Sequence, residues 1–70
     1  MQQYRLGSAP MVYAPGLIRW AISGAQFPED RPQMIRIISE GWNIPADAAE
    51  ALLTGKVPFE VEDEAVVFTA

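Results

Sequence analysis

The fold of this chain is decided near its C-terminus, by the stretch Val57-Pro58-Phe59-Glu60-Val61-Glu62-Asp63-Glu64-Ala65-Val66-Val67-Phe68-Thr69. Two short apolar segments, residues 57–61 and 65–69, flank an acidic centre. Segments rich in Val and Phe on either side of a polar turn predict two paired strands. The stretch therefore predicts a β-hairpin with a negatively charged tip.

The apolar pattern also predicts how the two strands pair. With Asp63 and Glu64 as the only loop residues, one face of the hairpin collects its large apolar side chains: Val57, Phe59, Val61, Val66 and Phe68. In this register Phe59 lies opposite Phe68, whereas a loop one residue longer would remove Phe68 from the apolar face, so we expect the shorter loop. The turn lacks the glycine that two-residue turns of type I′ prefer, which leaves a longer loop as the alternative.

The N-terminal third of the chain predicts a small hairpin followed by a helix. Residues 4–6 and 11–13 are short extended runs on either side of Gly7-Ser8-Ala9-Pro10, and we expect them to pair with each other. Apolar residues at one-turn spacing then predict a first helix at about residues 15–23, with Gly24 after its end.

Two further helices are predicted before the C-terminal hairpin. A proline opens the second, at about 32–40, which Gly41 ends, and the third spans 45–54. The order helix, helix, hairpin, with a stub of strand near Gln26-Phe27, resembles a winged-helix module in topology. The predicted fold class is therefore α+β: a compact single domain of residues 1–70 with short N-terminal strands, three short helices and a C-terminal β-hairpin.

The composition excludes several classes of function. The 70 residues include no cysteine and no histidine, which excludes disulfides, thiolate metal sites and the commonest general base. Since no hydroxyl group has a histidine to activate it, we expect no enzyme and no catalytic residue. The carboxylates lack the spacing of a calcium loop and the chain has no glycine-rich phosphate loop, so we expect no metal site and no cofactor. Small secreted domains usually need disulfides, so we expect a cytoplasmic protein. Its apolar runs of a few residues are too short to span a membrane.

Charge is distributed unevenly along the chain, whose net charge is −4. Residues 1–36 carry four arginines and two carboxylates, whereas residues 37–70 carry one lysine and seven carboxylates. An acidic half of this kind steers a basic partner or orients self-association, and ordinary solubility is the simpler explanation.

The acidic hairpin and one tryptophan are the predicted partner-binding residues: Glu60, Glu62, Asp63, Glu64 and Trp20. A row of carboxylates on a small fold can imitate nucleic-acid phosphates and occupy a basic groove on another protein. Trp20 lies one position beyond the apolar stripe of the first helix, and tryptophan is favoured at binding hot spots. Trp42 follows the second helix, and we expect it to fill a helix–helix junction.

Nucleic-acid binding is the alternative that we do not favour. A recognition helix needs Arg, Lys, Asn or Gln on its exposed N-terminal face, whereas the third helix offers alanines, Asp47 and Glu50 there. The acidic hairpin would also repel phosphates, which dominate affinity for DNA. A winged-helix regulator would instead have to use a face built from Arg19, Arg31 and Arg36.

We expect a non-enzymatic protein-binding module, of the kind that a small bacterial or phage-encoded modulator or inhibitor would use to present an acidic face to a basic partner. Residues 42–56 have the look of a bacterial or phage domain, but no family motif maps onto them. We expect a homo-oligomer such as a homodimer, or a tight complex with another protein, because half of the residues are apolar in a chain that buries only about 60% of its surface on folding. A structural homo-oligomer subunit is a further alternative for the function. Two placements of residues 65–69 stay open: they form a sheet edge that could pair with a second copy or a partner strand, or they close the sheet against the N-terminal strands.

Overall fold

Three helices pack against one face of a three-stranded antiparallel sheet in the computed structural model, which describes residues 1–70. The elements follow one another in this order: β1 (Gln3–Leu6), α1 (Ala14–Ala25), α2 (Arg31–Trp42), α3 (Ala46–Leu53), β2 (Phe59–Glu62) and β3 (Ala65–Thr69). The α+β class that the sequence predicts is confirmed.

The sheet has the strand order β1-β3-β2, so β3 lies in its centre. Of the two placements expected for residues 65–69, closure against the N-terminal strand is therefore confirmed and the free sheet edge is wrong, because β3 is hydrogen-bonded on both sides. Its residues Ala65 to Phe68 are all buried. A strand that is apolar on both faces gains most from a position with neighbours on both sides, and this position leaves the shorter β1 and β2 as the edges.

The predicted N-terminal hairpin is also wrong. Residues 4–6 belong to β1, which pairs with β3 at the opposite end of the sequence. Residues 11–13 do not join the sheet, and among them only Val12 forms an isolated bridge, with Ala9. Pairing with β3 buries Leu6 in the core. It also stacks the Tyr4 ring on the Phe68 ring, at a centroid distance of 5.2 Å. A hairpin with the short segment 11–13 would provide neither contact.

The register predicted for the C-terminal hairpin is confirmed. Phe59 pairs with Phe68, Val61 pairs with Val66, and the loop contains two residues. Asp63 and its neighbour Glu64 in this loop have φ angles of 50° and 63°, the positive values that a type I′ turn requires at both central positions. Cross-strand packing of the apolar residues therefore outweighs the poor turn propensity of Asp-Glu.

Two of the helix ends differ from the prediction. Gly24 lies inside α1, where the Met34 Sδ atom is 2.9 Å from the position that a Cβ on this glycine would occupy. Gly41 lies inside α2, which continues to Trp42. Asn43 ends α2 with φ 53°, because asparagine tolerates the left-handed conformation that closes a helix. Gly24 therefore allows close packing of α1 on α2, and neither glycine acts as a stop.

The sheet contains one strand besides the C-terminal hairpin, and this strand, β1, precedes α1. Gln26 and Phe27, where a winged helix would have its first strand, lie in a turn after α1. Winged-helix topology is therefore not confirmed. None of the three helices has the length and apolarity needed to cross a membrane.

The core lies between the helices and the inner face of the sheet. It is built from one cluster of buried side chains drawn from α1, α2, α3, β1 and β3 and contains no buried polar or charged side chain: Leu6, Ala14, Ile18, Ala21, Ala25, Ile38, Ala48, Ala49, Leu52, Leu53, Val66 and Phe68. Trp42 is half-buried and packs against this cluster. Its indole N–H donates to the backbone carbonyl oxygen of Gly7, so it joins the end of α2 to the chain after β1, whereas the sequence predicted a junction between two helices.

Candidate protein-interaction surface

The four predicted carboxylates lie together on the C-terminal hairpin and are exposed. Glu60 and Glu62 occupy alternate positions of β2 on the outer face of the sheet, because Phe59 and Val61 point toward the helices. Asp63 and Glu64 form the turn, and the side chain of Asp63 is 98% exposed. The structure thus confirms that these residues are neighbours on an exposed hairpin.

Arg5 holds one side of this acidic group. Its guanidinium donates a hydrogen bond of 3.2 Å to the backbone carbonyl oxygen of Glu62. The same group lies 3.6 Å from a carboxylate oxygen of Glu62 and 3.9 Å from one of Asp63. Arg5 reaches Glu62 from β1 across the central strand, so it covers the outer face of β3. It offsets one negative charge and leaves the hairpin acidic.

Ser8 holds the other side of the hairpin. Its hydroxyl group donates a hydrogen bond to the backbone carbonyl oxygen of Glu64. The hydroxyl oxygen of Ser8 in turn accepts a hydrogen bond of 3.0 Å from the backbone N–H of Ala14, the first residue of α1. This N–H is one of the unsatisfied donors at a helix N-terminus. Ser8 therefore fixes the acidic turn against the start of α1, a role that the sequence did not indicate.

Exposed apolar residues lie directly beside the acidic turn. Met11, Val12 and Tyr13 line one shallow depression together with Glu64, and Met11 is fully exposed. Met11 also has φ 78°, a left-handed conformation that is uncommon for residues other than glycine. We define the tip surface as Asp63, Glu64 and residues 11–13. It combines negative charge with apolar side chains that the core does not use.

Trp20 lies on α1, apart from the carboxylates. It is 52% exposed and follows Tyr13 by seven residues, about 10 Å along the helix axis. Tyr13 is the N-cap residue of α1, and its ring lies over Gly16, which is exposed and one helical turn before Trp20. Tyr13 therefore connects the tip surface to Trp20. Sequence reasoning placed Tyr13 in a strand and so missed its part in this surface.

The three arginines that a DNA-binding regulator would need do not form one free basic face. Arg31 donates a hydrogen bond of 2.8 Å to the carbonyl oxygen of Ala25, and Arg36 pairs with Glu40 at 3.1 Å. Both line a groove of about 630 Å³ between α2 and α3, where the carboxylates of Asp47 and Glu50 face them. Arg19 lies on α1, outside this groove. The groove is thus mixed in charge.

No group of three or more Asp and Glu side chains is placed to hold a metal ion. The acidic and apolar tip, the face of α1 and the mixed-charge groove are three exposed surfaces of this fold. No protein-family model matches the chain, and the comparisons with curated proteins and with solved structures also gave no match.

Proposed function

We propose that this chain is a non-enzymatic protein-binding module and that the tip surface binds a partner protein with a basic, partly apolar surface. The observation that carries the proposal is the contact of Glu64 with the depression formed by Met11, Val12 and Tyr13. Exposed apolar side chains with a charged rim are the usual composition of a protein-binding surface. The backbone of the hairpin tip is held on both sides, because Arg5 and Ser8 donate hydrogen bonds to its carbonyl oxygens.

Preorganisation supports the same function. The acidic turn contains only two residues, and two side-chain contacts anchor it to β1 and to the start of α1. A surface that is already ordered loses little conformational freedom on association, and this improves affinity for a given contact area. Its negative charge would accelerate encounter with a basic partner.

The rest of the proposal concerns the biological setting. We propose a cytoplasmic modulator or inhibitor of bacterial or phage origin, which uses the acidic hairpin in place of nucleic-acid phosphates. The order α2, α3, hairpin keeps a likeness to the second half of a winged helix. We propose this likeness as a scaffold for protein binding, because Arg31 and Arg36 already have partners within the chain.

The experiment compares two matched pairs of charge reversals. Asp63→Lys with Glu64→Lys reverses the turn, whereas Glu40→Lys with Glu50→Lys makes the same change of charge on the helices. Each immobilised protein captures partners from extract of its native host at low and high salt, and mass spectrometry identifies them. We expect the turn variant to lose a partner that the wild type and the helix variant retain, and association to slow as salt rises.

Two outcomes would contradict this proposal. Equal capture of the partner by both variants would show that partner binding does not require the tip surface. A gel shift of random duplex DNA at low salt that is lost on replacing Arg19, Arg31 or Arg36 would favour the winged-helix regulator. Exposed charges contribute little to stability, so both variants should unfold at nearly the wild-type denaturant concentration, which checks that folding is intact.

A further inference from the structure

A second exposed surface runs along α1 and is aromatic. Tyr13, Trp20 and Phe27 expose 53%, 52% and 55% of their surface, and they follow one another at intervals of seven residues. Tyr13 is the N-cap residue of α1, Trp20 lies within the helix, and Phe27 lies in the turn just after the C-cap residue Gln26. The three exposed rings therefore follow the exposed side of α1 from its start to just beyond its end, over about 21 Å at the helical rise per residue. We term these three residues the aromatic stripe.

The aromatic stripe is not part of the core. The side of α1 that faces the sheet and the other helices carries the buried residues Ile18, Ala21 and Ala25. Aromatic side chains have about 150–250 Å² of surface each, so half-exposed rings leave roughly 250–400 Å² of the stripe uncovered. That area is comparable to the largest apolar patch of an ordinary monomer, which is often an interaction site.

Small residues separate the rings. Gly16 and Ser23 lie between the aromatic positions on the same exposed side of α1. The Tyr13 ring lies over Gly16, where an added Cβ would be 3.3 Å from its Cδ2 atom. Large and small residues thus alternate along the stripe. Such a surface accepts the side chains of a second helix between its rings.

Both ends of the aromatic stripe are acidic. At the first end, Tyr13 lies beside Glu64 of the tip surface. At the second end, Glu29 and Asp30 follow in the turn after Phe27, and the backbone N–H of Asp30 donates to the carbonyl oxygen of Phe27 at 3.0 Å. The neighbouring Arg31 offsets only one of these two charges, and its guanidinium is bound to the end of α1.

We propose that the aromatic stripe binds an amphipathic helix of the partner protein, with apolar residues at seven-residue spacing and Lys or Arg at both ends. The apolar spacing follows from the rings, and the basic ends follow from the carboxylates beside Tyr13 and beside Phe27, two positions that lie 14 residues apart. This proposal rests on the proposed function, because it describes the segment by which a basic partner would bind.

A second copy of this chain fits the stripe less well. Parallel pairing of two α1 helices places Glu64 of one copy near Glu64 of the other, and antiparallel pairing places it near Glu29 and Asp30. Each copy also has a net charge of −4. Like charges opposed across an interface reduce affinity, so the acidic ends favour a basic helix over self-association.

The test uses two synthetic 18-residue amphipathic peptides with the same leucine pattern. One has two lysines at each end, and the other has two glutamates at each end. Titration is followed by ¹H–¹⁵N NMR with the wild-type protein, with Trp20→Ala and with the control Gln33→Ala, an exposed change on α2. We expect the lysine peptide to shift amide resonances of residues 13–27 and to bind at least about tenfold more weakly to Trp20→Ala, as at an interface hot spot. The control should bind as the wild type does, and the glutamate peptide should bind more weakly.

The outcomes separate this proposal from the proposed function. Failure of the lysine peptide to bind, or equal binding of the two peptides, would overturn the helix proposal, while capture of a native partner through the turn would still support the tip surface. Resonance shifts confined to Asp63 and Glu64, with no effect of Trp20→Ala, would also overturn helix binding by the aromatic stripe. They would remain consistent with partner binding by the tip surface. A dimer in sedimentation that Trp20→Ala dissociates would replace the partner helix by a second copy of this chain.

Discussion

Trp42 and Gly7 are joined by a hydrogen bond of 3.0 Å from the indole Nε1 to the backbone carbonyl oxygen. It connects the last residue of α2 to the segment that leaves β1, which is 35 positions away in the chain. The same indole packs against the core. The other tryptophan, Trp20, donates no side-chain hydrogen bond within the chain and is half-exposed on α1. The two tryptophans therefore have separate tasks, one in the fold and one on the surface.

The Trp42 contact predicts unequal effects of the same substitution. Trp42→Phe removes the hydrogen bond and part of the packing, so we expect the free energy of unfolding to fall by about 1–2 kcal/mol. Trp20→Phe removes only exposed surface and should change the free energy of unfolding by less than about 0.5 kcal/mol. Urea unfolding followed by far-UV circular dichroism measures both. Equal losses would show that Trp20 also supports the fold.

The hairpin predicts a second difference, between the two phenylalanines that pair across it. Phe68 lies on the central strand and is 3% exposed, so Phe68→Ala should lower the free energy of unfolding by about 3–5 kcal/mol. Phe59 lies on the edge strand and is half-buried, and Phe59→Ala should cost about 1–2 kcal/mol. Chemical denaturation gives the order. A larger loss at Phe59 would contradict the central position of β3.

The two-residue turn predicts a stabilising change. Asp63 and Glu64 both have positive φ, which costs an L-residue roughly 1–2 kcal/mol relative to its preferred conformation. Asp63→Asn combined with Glu64→Gly installs the sequence that type I′ turns prefer, and we expect the free energy of unfolding to rise by about 1 kcal/mol. The control Glu62→Gly, in β2, should lower it by about 0.5–1 kcal/mol. A loss in the turn variant would indicate a different loop conformation.

The two glycines inside helices predict opposite consequences of adding a methyl group. Gly41 has open space around the position of a Cβ, so Gly41→Ala should stabilise the protein by about 1 kcal/mol through helix propensity. Gly24→Ala would place its Cβ 2.9 Å from the Met34 Sδ atom, and we expect this crowding to cancel the gain or reverse it. Thermal unfolding of the two variants compares them. Equal stabilisation would mean that Met34 moves aside without cost.

The local pattern of the sequence determined the helices and the C-terminal hairpin. Apolar residues at one-turn spacing were sufficient to place all three helices, because an amphipathic helix is specified by its own residues. The register of Phe59 and Phe68 was also predictable, since a shift of one residue would have moved an aromatic ring out of the core. The exposure of the carboxylates in the turn followed from the same register.

Only the tertiary structure decided how distant segments meet. The sequence paired residues 4–6 with the nearest extended run, but β1 gains more by packing Leu6 and Tyr4 against β3 at the other end of the chain. Local patterns carry no record of such long-range competition. For the same reason they missed the contact of Ser8 with Glu64 and the exposure of Tyr13 beside it. The acidic residues of the candidate surface were thus determined by the sequence, whereas its apolar half was decided by which residues the core left uncovered.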